Sequence, residues 1–207
     1  MDSNDEILKR LERHYPEAKP GLHFGSAFQL LIATILSAQT TDRQVNAVTE
    51  GLFKAHPDAK SMLSLGRNEL EIIIKSCGFY KTKAKNVLET CRILMDKYCG
   101  EVPQTMEELI ALPGVGRKTA NVVLSNAFKI PAIAVDTHVF RVTNRLGLAD
   151  AKDVLETEKQ LMRAIPKDKW SSAHHWLIWH GRRVCFARKP DCGECFLVDV
   201  CKYAKER

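Results

Sequence analysis

Four cysteines near the C-terminal end of this 207-residue chain constrain its fold more than any other feature. They are Cys185, Cys192, Cys195 and Cys201, with the spacing C-x6-C-x2-C-x5-C. Two cysteines separated by two residues can grip one metal from a tight turn, and two more complete a set of four thiolates. The spacing therefore predicts that residues 185–201 fold around a single metal centre.

The kind of metal centre is left open by spacing alone, because zinc and iron–sulfur clusters both accept four thiolates. Structural zinc sites usually use two short C-x2–4-C pairs, and only one short pair is present here. The wider steps favour the bulkier iron–sulfur cluster, with zinc or four unliganded thiols as alternatives. Between the first two cysteines, Arg188 and Lys189 either present positive charge to a phosphate or belong to an ordinary solvated loop.

The composition allows a packed core, and its moderate positive charge suits a polyanionic partner such as nucleic acid, as it also suits many soluble enzymes. Hydrophobic residues make up 45% of the chain, and 31 basic against 25 acidic residues give a net charge of +6. The acidic N-terminus lacks an apolar signal segment, and the apolar run at 27–38 is shorter than the roughly 20 residues that span a membrane. The remaining cysteines are scattered, which argues against a disulfide scaffold. We therefore expect a soluble, intracellular protein.

Capping patterns predict an all-α fold of helices joined by short loops. A Ser, Thr or Asp side chain at a helix start accepts from a free backbone N–H, and Glu or Gln three residues later completes the pattern. Four such pairs occur, at Ser3/Glu6, Thr41/Gln44, Thr105/Glu108 and Asp153/Glu156. The stretch 130–135 favours a strand, but Pro131 interrupts it and no partner strand is evident. We expect a buried connector there, at a possible domain boundary.

The segment Leu112-Pro-Gly-Val-Gly116 predicts a tight hairpin between helices at about 105–111 and 117–127. Pro113 ends the first helix, and Gly114 and Gly116 allow backbone angles closed to other residues and let another backbone approach closely. The second helix then presents free N–H groups and the positive end of its dipole, which suit a phosphate. This is the helix-hairpin-helix pattern of DNA-binding proteins, and a plain turn is the alternative.

Lys118 and Asp136 are the candidate catalytic residues. Lys118 lies in the first turn of the second helix, where the dipole and Arg117 disfavour the ammonium form. A neutral amine can form a Schiff base with a sugar aldehyde, whereas a charged one would simply contact phosphate. Asp136 could take a proton or face positive charge developing on the sugar. An ordinary N-cap for a helix from Thr137 explains Asp136 equally well.

Taken together, four pieces of the sequence resemble the endonuclease III family of DNA glycosylases. They are LLIATILSAQTTD at 30–42, LPGVGRKTANVVL at 112–124, AVDTHVFRV at 134–142 and the four-cysteine loop. The resemblance covers nearly the whole chain and implies an all-α glycosylase fold with two helical domains flanking a DNA-binding cleft. It implies a six-helix domain at 21–130, with the hairpin at about 105–127. The second domain, 1–20 with 131–207, would hold a 4Fe-4S cluster.

The resemblance also implies roles for individual residues. Lys118 would be the Schiff-base nucleophile at the sugar C1′, Asp136 its catalytic partner, and the four cysteines the cluster ligands. Gln39 resembles the residue that fills the gap left by a flipped-out base, and Phe79 falls where the family often has a leucine wedge. A polar loop residue and core packing are their respective alternatives. The implied DNA-binding set is Gln39, Phe79, Gly114, Val115, Gly116, Arg117, Thr119, Arg188 and Lys189.

The implied activity is base excision repair of DNA. Members of the family flip oxidised pyrimidines, such as thymine glycol, out of the duplex, excise them, and cleave the abasic site by β-elimination through a lysine Schiff base. The implied partner is double-stranded DNA containing damaged pyrimidines or abasic sites, with no membrane involved. We expect a monomer in the cytoplasm of a prokaryotic-type cell, associated with the nucleoid.

Two other functions are possible interpretations, but each explains fewer of these sequence motifs. A monofunctional glycosylase of the same superfamily keeps the aspartate and often the cluster, but it lacks this lysine. Such enzymes commonly carry an extra C-terminal domain, for which the residues after Cys201 leave no room. A non-catalytic DNA-binding module with the hairpin and a zinc knuckle would need neither Lys118 nor Asp136. The bifunctional glycosylase is therefore the favoured prediction.

Overall fold

The computed structural model describes residues 3–206, and every regular element in that range is a helix. The elements are α1 (Ser3–His14), α2 (Ala27–Leu36), α3 (Asp42–Ala55), α4 (Ala59–Leu63), α5 (Arg67–Ile73), α6 (Tyr80–Tyr98), α7 (Met106–Ile110), α8 (Arg117–Ala127), α9 (Thr137–Leu146), α10 (Val154–Ala164), a 3-10 turn (Lys167–Lys169), α11 (Trp170–Arg183) and α12 (Lys202–Lys205). The predicted all-α fold is confirmed. None of the helices in this range is long and apolar enough to cross a membrane.

The chain divides into two compact units, Met1–Lys19 with Pro131–Arg207, and Pro20–Ile130. The continuous unit holds α2 to α8, and the other combines α1 with α9 to α12. Residues 131–135 form an irregular stretch without strand pairing. Ile133 and Ala134 in it are each only 1% exposed, so the predicted buried connector is confirmed.

In the unit Pro20–Ile130, α2 is the central helix. Ser26 caps its start by accepting from the backbone N–H of Gln29 at 3.1 Å. The helix is apolar on almost every side, as expected for a helix surrounded by others, and it packs against α3, α6 and α8. Burial of each Leu or Ile side chain contributes roughly 1.5–3 kcal/mol. The loop after Leu36 and the start of α8 are therefore attached to a rigid core.

In the other unit, α1, α9 and α11 pack around a shared apolar core. Ile7, Leu8 and Leu11 of α1 are buried there. A Cβ built at Gly181 of α11 would lie 3.0 Å from the Cβ of His138, so this glycine lets α11 approach α9 closely. The contact fixes the orientation of α9, whose first turn follows Asp136.

The helix starts confirm three of the four predicted caps. The side chain of Thr41 accepts from the backbone of Gln44, that of Thr105 from Glu108, and that of Asp153 from Glu156. Ser3 is instead the first residue of α1, and the residue that precedes it lies outside the described part of the chain. Local side-chain chemistry therefore determined where these helices begin.

Candidate nucleic-acid interface and metal centre

The hairpin between α7 and α8 is held by its backbone. The N–H of Val115 donates to the carbonyl of Leu112 at 3.1 Å, and Thr90 Oγ1 donates to the carbonyl of Pro113 at 3.1 Å. Gly114 has φ +77°, and a Cβ there would lie 2.8 Å from Asn86 Nδ2. Glycine is thus required at this position by backbone conformation and by space.

Gly116 does not use the conformational freedom that a glycine allows. Its φ of −94° and ψ of 175° are open to any residue. A Cβ built at Gly116 meets no atom within 4 Å, and as the N-cap of α8 the residue supplies no capping side chain. What the glycine provides is an uncovered backbone at the start of the helix, where a ligand could approach closely.

The first turn of α8 is exposed on one side and anchored on the other. Gly116, Arg117 and Lys118 are exposed, whereas the side chains of Val115 and Ala120 are buried. The Lys118 side chain forms no hydrogen bond or ion pair with any described residue. Its Nζ is therefore available to chemistry outside the folded chain.

Asp136 is the N-cap of α9, as the alternative interpretation of the sequence expected. Its Oδ1 accepts from the backbone N–H groups of His138 and Val139, each at 2.8 Å. Both bonds use the same oxygen, so Oδ2 has no hydrogen bond within residues 3–206. Capping thus leaves one carboxylate oxygen free for a second role. Lys118 belongs to the unit Pro20–Ile130 and Asp136 to the other unit.

Gln39 and Phe79 stand out by their backbone conformation. Both are non-glycine residues in the left-handed region, with φ of 53° and 58°. Phe79 is 68% exposed, so the core-packing alternative for it is wrong, and Gln39 is exposed as well. A Cβ built at Gly78 would lie 3.8 Å from the carbonyl oxygen of Gln39, which shows that the two loops are adjacent.

The four cysteines come together around one cavity that is partly open to solvent. Arg145, His180 and Tyr203 line the same cavity. Burial raises the pKa of the Cys195 and Cys201 thiols. Arg188 and Lys189 are exposed on the loop between the first two cysteines, as predicted.

Two arginines on α9 hold the start of the cysteine segment. Arg141 donates from Nε and Nη2 to the carbonyl of Cys185, at 3.1 and 3.0 Å. One turn later, Arg145 donates to the carbonyls of Phe186 and Ala187, at 2.7 and 2.8 Å. Arg145 Nη1 also lies 3.4 Å from Cys185 Sγ, a contact that stabilises a thiolate. Sequence reasoning missed this pair, although the i,i+4 spacing of two arginines after Asp136 was a usable signal.

The later part of the segment is held from α1 and α11. Arg10 donates to Asp199 Oδ1 at 2.7 Å and to the carbonyl of Phe196 at 3.1 Å. Burial lowers the pKa of His180 to about 4, so its ring is neutral. Its Nδ1 lies 3.1 Å from the Tyr15 hydroxyl, and its Nε2 lies 3.7 Å from Cys195 Sγ.

The donor set fits a cluster better than a single ion. Within the described residues, no three His, Cys, Asp or Glu side chains are close enough to hold one metal ion, yet four cysteines line one cavity. Zinc bonds to sulfur at about 2.3 Å and would draw four thiolates tightly together. An iron–sulfur cluster instead places several atoms between its ligands.

Comparison with known proteins agrees with this architecture. A family model described as HhH-GPD superfamily base excision DNA repair protein matches residues 32–167, and one described as the iron-sulfur binding domain of endonuclease III matches residues 185–201. The chain is 50% identical to the endonuclease III of Haemophilus influenzae and 49% identical to that of Escherichia coli. Each match covers 97% of this chain and 95% of the relative.

A solved structure of a trapped endonuclease III–DNA covalent intermediate superimposes with a TM-score of 0.92 at 47% identity. That match covers 100% of this chain and 99% of the other. The chain thus belongs to the HhH-GPD superfamily of base excision DNA repair proteins and, within it, to the endonuclease III family. It is a DNA glycosylase and abasic-site lyase with a 4Fe-4S cluster as cofactor, which confirms the predicted family, activity and cofactor.

Proposed function

We propose that this enzyme excises oxidised pyrimidines from duplex DNA and cleaves the abasic site through a Schiff base on Lys118. The observation that carries the proposal is the position of Lys118. It is exposed and without partners in the first turn of α8, directly after a hairpin with an uncovered backbone. A phosphate bound at the hairpin would hold a nucleotide sugar beside this amine.

The proposed reaction begins when neutral Lys118 Nζ attacks C1′ of the flipped nucleotide and the base departs with the electrons of the glycosidic bond. The sugar ring opens to give a Schiff base between Nζ and C1′. Loss of a C2′ proton then drives cleavage of the C3′–O bond, and the 3′ phosphate leaves. Oδ2 of Asp136 is the group proposed to face the positive charge on the sugar and to exchange protons, while Oδ1 keeps α9 capped.

The proposed DNA contacts fall into two groups. Backbone and side chains around the start of α8 would hold phosphates, together with the exposed cations of the cysteine loop. These residues are Gly114, Val115, Gly116, Arg117, Thr119, Arg188 and Lys189. Gln39 and Phe79 would instead occupy the stack vacated by the flipped nucleotide, since one is polar and exposed and the other is an exposed aromatic ring.

Cys185, Cys192, Cys195 and Cys201 are the proposed cluster ligands. The cluster would supply a rigid anchor for the loop that carries Arg188 and Lys189, rather than chemistry on the sugar. The arginines of α9 support this role, because they tie the loop backbone to the helix that Asp136 caps. The loop with Arg188 and Lys189 and the proposed catalytic carboxylate of Asp136 are thus both attached to α9.

The cluster proposal predicts the metal content of the purified protein. We expect a brown protein that contains iron and acid-labile sulfide in equal amounts, with a broad charge-transfer absorption. Cys192→Ser is expected to lose most of this iron, whereas Cys99→Ser, at an exposed cysteine outside the segment, is expected to keep it. Stoichiometric zinc without iron in the native protein would contradict the proposal.

The hairpin predicts opposite behaviour for its two glycines. Gly114→Ala is expected to lower the free energy of unfolding by about 1–2 kcal/mol, because φ is positive and the methyl group meets Asn86. Gly116→Ala is expected to change stability by less than about 0.5 kcal/mol but to weaken binding to abasic duplex DNA. Urea unfolding and fluorescence anisotropy measure the two effects. Unchanged DNA affinity in Gly116→Ala would contradict close approach of a phosphate to this backbone.

Substrate preference is tested with a panel of duplexes, each carrying one lesion. Base release and strand cleavage are measured separately for thymine glycol, other oxidised pyrimidines, oxidised purines and a plain abasic site. We expect rapid excision of oxidised pyrimidines and slow or no excision of oxidised purines. Preferred excision of a purine lesion would contradict the substrate assignment while leaving the lyase activity intact.

The remaining proposals concern organisation and location. We propose a domain at 21–130 that contains the hairpin at about 105–127, and a second domain of 1–20 with 131–207 that holds the cluster. The compact units support this division, and the unit Pro20–Ile130 contains seven helical segments where a six-helix domain was expected. We further propose a monomer that acts on DNA at the nucleoid in the cytoplasm, with no membrane partner.

A further inference from the structure

Lys83 is a buried lysine that the reaction described above does not use. It lies in the first turn of α6 and is only 5% exposed. Its Nζ donates to the carbonyl of Leu36 at 2.8 Å and to Thr40 Oγ1 at 2.9 Å. No carboxylate among residues 3–206 pairs with it. Among the described residues, its hydrogen-bond acceptors are therefore two neutral oxygens.

A buried ammonium whose partners are two neutral oxygens contributes little to the stability of a fold. Removing an ammonium from water costs several kcal/mol unless strong partners compensate, and burial lowers the pKa of Lys83 accordingly. Leu36 is the last residue of α2, so the negative end of that helix dipole offsets part of the cost. An apolar side chain of the same length would fill the space without that penalty. What the ammonium adds, and an apolar side chain would not, is a direct link from α6 to the end of α2 and to Thr40.

The contacts of Lys83 span two loops that carry DNA-reading candidates. Its side chain holds both ends of the loop that contains Gln39, and its backbone N–H donates to the carbonyl of Phe79 at 3.0 Å. Gln44 Nε2 donates to Ser76 Oγ at 2.7 Å, which links the segments that flank these loops.

Each of the two loops also contains one residue in a strained backbone conformation, which the surrounding structure has to stabilise. Gln39 and Phe79 each adopt a left-handed backbone conformation, which costs roughly 1–2 kcal/mol for a non-glycine residue. Such conformations persist only where the surroundings determine them. Lys83 bonds to Leu36 and Thr40, which lie three residues before and one residue after Gln39, and it belongs to the helix whose N-cap is Phe79.

We propose that Lys83 is a positioning residue that locks Gln39 and Phe79 into one rigid pair, so that both enter the duplex together when a nucleotide is flipped out. The proposal rests on the gap-filling roles proposed above for these two residues. Lys83 touches no DNA itself. It acts by keeping two strained loops at a fixed separation before DNA arrives, which removes the need to order them on binding.

The test uses a duplex with a tetrahydrofuran abasic analogue opposite 2-aminopurine, whose fluorescence rises when it loses its stacking. At saturating protein, native enzyme should raise the fluorescence as side chains enter the stack. Lys83→Met is expected to give a clearly smaller rise and to lower kcat/KM for abasic-duplex cleavage by about 10-fold or more, since small misplacements are costly in catalysis. Lys97→Met is the matched control, exposed on the same helix about 21 Å along its axis, and should behave as native enzyme.

Two further variants separate the possible failures. Gln39→Ala should reduce the fluorescence rise, and adding Lys83→Met to the double variant Gln39→Ala/Phe79→Ala should have little further effect, because Lys83 acts through these two side chains. If Gln39→Ala leaves the rise unchanged, the gap-filling role fails and the role of Lys83 fails with it. If Gln39→Ala reduces the rise but folded Lys83→Met does not, only the role of Lys83 is overturned.

A folding defect in Lys83→Met would not end the test. Thr40→Val keeps the ammonium but removes one of its two acceptors, at a residue that is only partly buried. It is expected to give a rise between those of native enzyme and Gln39→Ala. A native rise and native kcat/KM in folded Thr40→Val would then overturn the proposal.

Discussion

Lys118→Ala is expected to abolish the covalent complex that borohydride traps between this enzyme and an abasic duplex. Borohydride reduces the Schiff base between lysine Nζ and C1′ of the sugar, so no complex can form without the amine. Strand cleavage should fall by at least about 10³-fold, since loss of a nucleophile often costs more than this. Trapped complex is measured on a denaturing gel, and cleavage is measured in single-turnover assays.

The structure indicates that this loss will come without a loss of fold. The Lys118 side chain is exposed and bonds to no described residue, and alanine is the best helix former. The temperature of unfolding and the affinity for the tetrahydrofuran duplex should therefore stay close to native. Lys54→Ala, at an exposed lysine in the last turn of α3, is the matched control and should trap normally. Trapping by Lys118→Ala at the native level would assign the Schiff base to another amine.

Asp136→Asn is expected to lower base excision by about 10²–10⁴-fold, the range that positioned acid–base groups contribute. The same substitution should leave the free energy of unfolding within about 0.5 kcal/mol of native. Asparagine caps helices as well as aspartate does, and its side-chain oxygen can accept from the N–H groups of His138 and Val139. The variant thus removes the charge and keeps the cap.

Asp136→Ala removes both functions and should lose about 1 kcal/mol of stability as well as activity. Asp153 supplies the matched control, because it caps α10 through the backbone N–H of Glu156 at 2.9 Å. Asp153→Asn should keep native stability and activity, and Asp153→Ala should lose stability alone. Full base-excision activity in Asp136→Asn would show that Asp136 is only a cap.

The features that the sequence predicted best depend on short-range chemistry. Thr41, Thr105 and Asp153 cap the helices expected of them, because a cap needs only a side-chain oxygen and a backbone N–H three residues away. Gly114 has its expected left-handed backbone. The cysteine spacing predicted one metal centre, since the ligands lie close together along the chain.

The features that the sequence missed depend on residues far apart along the chain. Nothing local to Lys83 indicates that its ammonium reaches Leu36 and Thr40, more than 40 positions earlier. Arg145 likewise reaches carbonyls about 40 residues later, on the loop between the first two cysteines. Gly116 has ordinary backbone angles, and the open space around it is likewise a result of how the chain packs.

The sequence by itself therefore determined the helices, the hairpin, the cysteine cluster and, by resemblance, the family. Capping, glycine conformation and ligand spacing depend on residues a few positions apart, so they can be predicted from the sequence alone. The tertiary structure alone decided how these parts are held. It brought the four cysteine thiols to one cavity and joined the loop between Cys185 and Cys192 to α9 by hydrogen bonds. It also placed the buried Lys83 in contact with residues close to Gln39. Burial and long-range hydrogen bonds arise only when distant segments pack, because a side chain's surroundings are fixed by the fold and not by its neighbours in sequence.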